Sequence, residues 1–116
     1  MTDIADRINA LVAHHKPRLG LDTWLIKVEC SPVILYEGGD HVKAEAMCTP
    51  FWKYLTATLR FSTEKMGELD DEEFEETVLH ELMHVILAEL DCRDEHEERV
   101  ATLLSRAFLG RFTKGE

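Results

Sequence analysis

The 116 residues contain no apolar run approaching the 18 or so that a membrane helix needs, and the opening MTDIADRINA has neither a basic stretch nor an apolar one. Secretion and membrane insertion are therefore not expected. Cysteine is scarce: Cys30, Cys48 and Cys92 stand far apart, make no CxxC pair and cannot form an even disulfide framework. They read as small buried hydrophobes in a reducing, cytoplasmic compartment. Only 3 prolines, 6 glycines and 8% aromatic residues accompany 45% apolar residues, which argues against collagen-like, low-complexity and disordered chains. The length suits one domain, 1–116, with one core and neither repeat nor linker.

Cations are the other shortage. The 13 Lys and Arg face 23 Asp and Glu, for a net charge of −10. Residues 1–67 are balanced at 8 of each sign, whereas residues 68–98 hold 14 acids against Arg93 alone. Such a segment repels phosphate backbones and anionic lipids, so neither nucleic acid nor membrane is the expected partner, while a basic peptide fits. An acidic helix start and a solvated helix face account for the excess.

Ile4, Ile8, Leu11 and Val12 predict an amphipathic helix from about residue 3, capped by Asp3 or Thr2 and closed by Pro17 and Gly20. His14 and His15 suit the negative end of its dipole and need no catalytic role. Trp24, Ile26 and Val28 then alternate with Leu25, Lys27 and Glu29 as a strand. Residues 33–36 form a second apolar run, and Gly38, Gly39 and Asp40 read as a hairpin turn. Residues 42–48 alternate weakly, and 54–61 are the most strand-like stretch. Short turns predict an antiparallel meander. A polar passage leads to Leu69, after which Asp70, Asp71, Glu72 and Glu73 announce a helix with Phe74, Val78, Leu82, Val85 and Ile86 on its apolar side, running to about Leu90. A third helix starts near Asp94 with Val100, Leu103, Leu104, Ala107 and Phe108 as its stripe. The expected class is α+β.

The central helix contains His80-Glu81-Leu82-Met83-His84, an HExxH pattern. Histidines at i and i+4 lie one turn apart on one face, so both imidazoles can reach one zinc ion at about 2.0–2.1 Å. Glu81 follows the first ligand, close enough to accept a proton from the water that zinc activates beside a polarised carbonyl. A random arrangement of this composition gives HExxH roughly 4% of the time. The helical, apolar context sharpens the signal, because two histidines and a glutamate in a core helix each need a buried partner.

Zinc takes a third protein ligand, and no metzincin extension follows His84. At about 100° per residue the stripe of the third helix centres near Val100 and Leu104; Glu97 lies about 40–60° from that centre and Glu98 about 140°. Glu97 is therefore the expected ligand, His96 the second choice, and Glu98 and Glu95 solvated. His96, Arg93, Tyr36 and Tyr54 are candidates by chemistry for an oxyanion stabiliser.

HExxH on one helix with a glutamate on the next resembles the gluzincin class of zinc peptidases, in the small form of mini-gluzincins and phage-encoded metallopeptidases. The resemblance extends to Leu21-x-x-Trp24-x-Ile26-x-Val28, to Leu59-Arg60-Phe61 and to Glu97-Glu98-Arg99-Val100, although only HExxH is specific. It implies a minimal zincin-like domain: an N-terminal helix, a small antiparallel sheet with its last strand beside the metal, and an active-site helix packed on a C-terminal helix. The Asn-Glu-x-x-x-Asp form of larger gluzincins is missing. The expectation is a zinc metallopeptidase hydrolysing peptide or protein substrates, with His80, His84 and Glu97 holding zinc and Glu81 as general base. The strand around residues 56–61 is expected to align the substrate as an edge strand. A catalytically inert, zinc-stabilised binding module and an acidic interaction protein are the alternatives; a structural site has no use for Glu81, and metal analysis separates out the acidic protein.

Overall fold

The structure is a computed structural model and describes residues 3–35, 43–88 and 94–110. Helix α1 spans Ile4–Arg18, with Asp3 in extended backbone at its cap. Pro17 sits inside the last turn, and Gly20 takes the left-handed φ of +73° that turns the chain away. Strands β1 (Leu25–Ser31), β4 (Ala46–Phe51) and β5 (Thr56–Ser62) form a sheet in the order β1-β5-β4. β2 (Ile34–Leu35) and β3 (Lys43–Ala44) make a separate antiparallel pair. The expected turn at Gly38, Gly39 and Asp40 lies outside the described residues, as do Tyr36, Cys92, Arg93 and the His96 side chain.

The predicted antiparallel meander is corrected to a mixed sheet. β5 pairs parallel with β1, from Leu25 opposite Thr56 to Ser31 opposite Ser62, and antiparallel with β4, from Ala46 opposite Phe61 to Phe51 opposite Thr56. The stretch expected to be the edge is thus the central strand, and β4 is the edge. Alternation reports which face of a strand is buried and carries no information on its neighbour. Parallel pairing needs a long crossover, supplied here by the chain from β2 to β4. A turn of Trp52–Tyr54 joins β4 to β5 through Leu55 at φ 53°.

Ala57, Leu59 and Phe61 of β5 are almost fully buried on the face that meets the helices, where they share one cluster with Ile8 and Val12 of α1. The polar passage after β5 holds a short helix, α2 (Thr63–Met66), started by Ser62, whose Oγ accepts the Lys65 N–H at 3.1 Å. Helix α3 (Asp71–Leu87) opens with the anticipated capping box. Asp70 Oδ1 accepts the Glu73 N–H at 2.8 Å, and Glu73 Oε1 accepts the Asp70 N–H at 3.2 Å. Its core face is Phe74, Val78, Leu79, Leu82, Met83, Val85 and Leu87; Ile86, expected inside, is 37% exposed.

Helix α4 (Asp94–Leu109) is rotated relative to its apolar pattern. Ala101 and Ser105 are fully buried, whereas Val100, Leu103 and Leu104 are exposed by 39%, 53% and 36%. This departs from the stripe read in the sequence by about one residue, or roughly 100°. The reason is close approach: small side chains at Ala101 and Ser105 let α4 lie near α3, and Ser105 satisfies its hydroxyl on the Ala101 carbonyl at 2.7 Å. Ala101→Leu should accordingly cost about 1–3 kcal/mol through overpacking, and Leu103→Ser should stay within about 0.5 kcal/mol. Urea unfolding of both variants checks this; the reverse ranking would restore the sequence-based phase.

Candidate metal centre

His80, Glu81 and His84 lie in the middle of α3, where core residues on both sides hold the helix rigid. His80 and His84 are one turn apart with ring centroids separated by 4.9 Å, and their Nε2 atoms are 3.2 Å apart. Donor atoms of His80, Glu81 and His84 all lie within 4.8 Å of one another, a set able to hold a metal ion. At metal–nitrogen distances of about 2.05 Å, a 3.2 Å separation subtends about 100° at the ion, near the tetrahedral angle.

The outer nitrogens are anchored from α4. His84 Nδ1–H donates to Glu97 Oε2 at 2.6 Å, and His80 Nδ1 lies within hydrogen-bond distance of Thr102 Oγ1 at 3.3 Å. These contacts hold the Nδ1 edges of both rings against α4 and leave both Nε2 atoms turned towards the cleft. Facing them is Glu98, with Oε1 3.0 Å from His80 Nε2 and Oε2 2.6 Å from His84 Nε2. Lone pairs from two imidazoles and a carboxylate converge so closely only around positive charge, whether a proton or a metal ion. Glu97 turns inward as expected, 22% exposed, but lies behind His84, whereas Glu98, solvated as expected at 61% exposed, also faces both histidines. The one-residue rotation of α4 that buries Ala101 brings Glu98, Thr102 and Arg106, at i, i+4 and i+8, onto the cleft side.

Glu81 is only 6% exposed and has no hydrogen-bond partner among the described residues. Burial pushes its carboxyl up to about 7, against the pull of His84 and with the help of Glu98 and Glu45. Burial likewise lowers His80, opposed by Glu98. Cys48, on β4, faces the carboxylates of Glu81 and Glu97, and burial together with those charges raises its thiol.

The cleft holds about 1020 Å³ between β4 on one side and α3 with α4 on the other. Six glutamates line it (Glu45, Glu73, Glu76, Glu81, Glu97 and Glu98), against Arg106, which donates from Nε to Glu76 Oε1 at 2.9 Å. Tyr54, a candidate oxyanion stabiliser, is 79% exposed and is not among the lining residues. Cys48, Thr102 and Arg106 escaped the sequence reading. The i, i+4, i+8 spacing from Glu98 was the available signal, and it is recognisable only once α4 has been oriented. Comparisons with protein-family profiles, characterised proteins and solved structures find no match for this chain.

Proposed function

We propose that the cleft is a zinc-dependent peptide-hydrolysing site of the gluzincin type, with His80, His84 and Glu98 as ligands and Glu81 as general base. The observation that carries this reading is the pair of Nε2 atoms 3.2 Å apart, facing one carboxylate, beside a buried glutamate that makes no hydrogen bond among the described residues. A purely structural site has no use for that glutamate. When bound, zinc supplies Lewis acidity, lowering the pKa of water to about 7 and polarising a carbonyl. Glu97 and Thr102 hold the imidazoles in register and act as positioning residues.

Glu81 takes the proton of the attacking water as its oxygen bonds to the carbonyl carbon. It returns that proton to the departing amine nitrogen as the C–N bond breaks. Its burial shields it from bulk water, which keeps its partner the substrate. β4 aligns the peptide. Ser62 N–H donates to the Glu45 carbonyl at 2.8 Å, so Glu45 and Ser62 are a bonded pair and alternate residues Ala46, Cys48 and Pro50 turn their main chain outwards. An extended peptide adds to that free edge, and the acidic lining favours cationic side chains.

Glu98→Ala should lower zinc affinity by at least about a hundredfold, and Glu97→Ala by about 10–100-fold, the range for an outer partner of a ligand histidine. Competition with a chromogenic chelator measures both. A larger loss in Glu97→Ala would return the third ligand to Glu97. Peptide hydrolysis by wild type that vanishes on chelation and returns with zinc tests the reading as a whole.

A further inference from the structure

The free edge of β4 offers an N–H and a C=O at Ala46 and at Cys48 but only a C=O at Pro50, so an added strand loses its ladder there. Pro50 borders the cleft and also a second recess of about 160 Å³ walled by Phe51, Trp52, Lys53 and Tyr54; Phe51 lies on the opposite face of β4 from Cys48, so of a peptide along the edge only side chains turned to that face reach the recess. Phe51, Trp52 and Tyr54 are 56%, 48% and 79% exposed, and Leu25, level with Phe51 across Thr56, is 72% exposed. Nothing in the core requires aromatic residues here. The turn that displays them is also held in a costly form: Leu55 sits at φ 53°, where a residue with a β-carbon loses about 1–2 kcal/mol. Its N–H donates to the Trp52 carbonyl at 3.2 Å, and its carbonyl accepts the Leu25 N–H at 2.9 Å, which ties the turn to β1. Strain of this kind persists where the surroundings enforce it, and it gathers at ligand clamps.

The geometry points to a side-chain subsite at Phe51, Trp52 and Tyr54 that takes a bulky apolar residue of an extended peptide lying along β4. This rests on the peptide-hydrolysing reading above and adds the substrate feature recognised. Where main-chain pairing ends at Pro50, side-chain burial takes over the grip. The spacing follows from the strand. Cys48 faces Glu81, and the recess begins three to four residues beyond it, about 10–13 Å at 3.3 Å per residue. The gripped side chain therefore stands three or four residues from the bond that is cleaved.

The test uses zinc-loaded Glu81→Gln protein and terminally blocked ten-residue peptides of alanine, serine and lysine, identical except for one phenylalanine moved along the chain or left out. Calorimetry should show roughly tenfold tighter binding at the favoured phenylalanine position than for the phenylalanine-free peptide. The double variant Trp52→Ser/Tyr54→Ser should bind all peptides alike, and Tyr54→Phe should keep the preference. Both positions are exposed, and a thermal melt verifies the fold. Wild type should cut the favoured peptides three or four residues from phenylalanine. Equal affinities, a preference that survives the double variant, or no binding at all overturns the subsite. So does concentration-dependent self-association abolished by the double variant, which would assign the patch to a second copy of the chain. Hydrolysis without phenylalanine preference removes the subsite and leaves the peptidase reading intact. Phenylalanine-dependent binding without cleavage by wild type upholds the subsite and removes the hydrolytic reading.

Discussion

Glu81→Gln should keep zinc and fold while lowering peptide hydrolysis by about 10²–10⁴-fold, the usual worth of a general base. The amide has the shape of the carboxylate but cannot take up a proton, and Glu81 makes no hydrogen bond among the described residues that its replacement would break. The same variant offers an independent readout in chelated protein. A carboxyl whose folded pKa is raised from 4.5 to about 7 destabilises the fold above pH 7, and this effect fades to nothing below about pH 4.5. Glu81→Gln should therefore melt higher than wild type at pH 8 and no higher at pH 4. Single-turnover cleavage with zinc analysis, and melts at the two pH values, check the two halves. Loss of zinc in the variant would make Glu81 a ligand and end the proposed mechanism. Equal inactivity of wild type and variant on every peptide, with zinc retained, would favour the inert binding module.

Removal of zinc should produce the largest change in stability. An ion bound to the folded state alone contributes about 4 kcal/mol when present at a thousand times its dissociation constant, which corresponds to a fall in melting temperature on the order of 15 °C on chelation. His84→Ala should reproduce that fall without chelator. Beyond deleting a ligand, it strips Glu97 and Glu98 of their 2.6 Å partner and leaves them as neighbouring carboxylates beside buried Glu81. His14→Ala, at an exposed site on α1, should change neither quantity. Scanning calorimetry with elemental analysis of untagged protein decides the matter. An unchanged melt on chelation, with no metal detected, would sink the zinc reading.

Much of this arrangement is legible along the chain because it depends on short-range chemistry. The caps of α3, the i, i+4 histidine pair, the adjacent glutamate and the helix–strand–helix order follow from periodicity and from hydrogen-bonding demands met within a few residues. Element boundaries held to within a turn for α1, α3 and α4; α2 was missed because four residues carry no period. The rotation of α4 departs from the apolar pattern for a particular reason. Val100, Leu103 and Leu104 look like the face that seeks the core, yet the helix contact selected Ala101 and Ser105, for which hydropathy gives no sign.

The secondary structure around HExxH, the acidic character of its surroundings and the grouping of His80, Glu81 and His84 on one helix are set by the local sequence. Tertiary structure alone decided that β5 is central and β4 is the edge, and that Glu98 faces both histidines while Glu97 stands behind one of them. It alone opened the cleft beside Cys48 and Pro50. The physical reason is the range of the forces involved. Helix periodicity and capping are settled by neighbours up to four positions away, whereas strand partnership and helix rotation are settled by how close two backbones can pack, which depends on side chains distant in the chain.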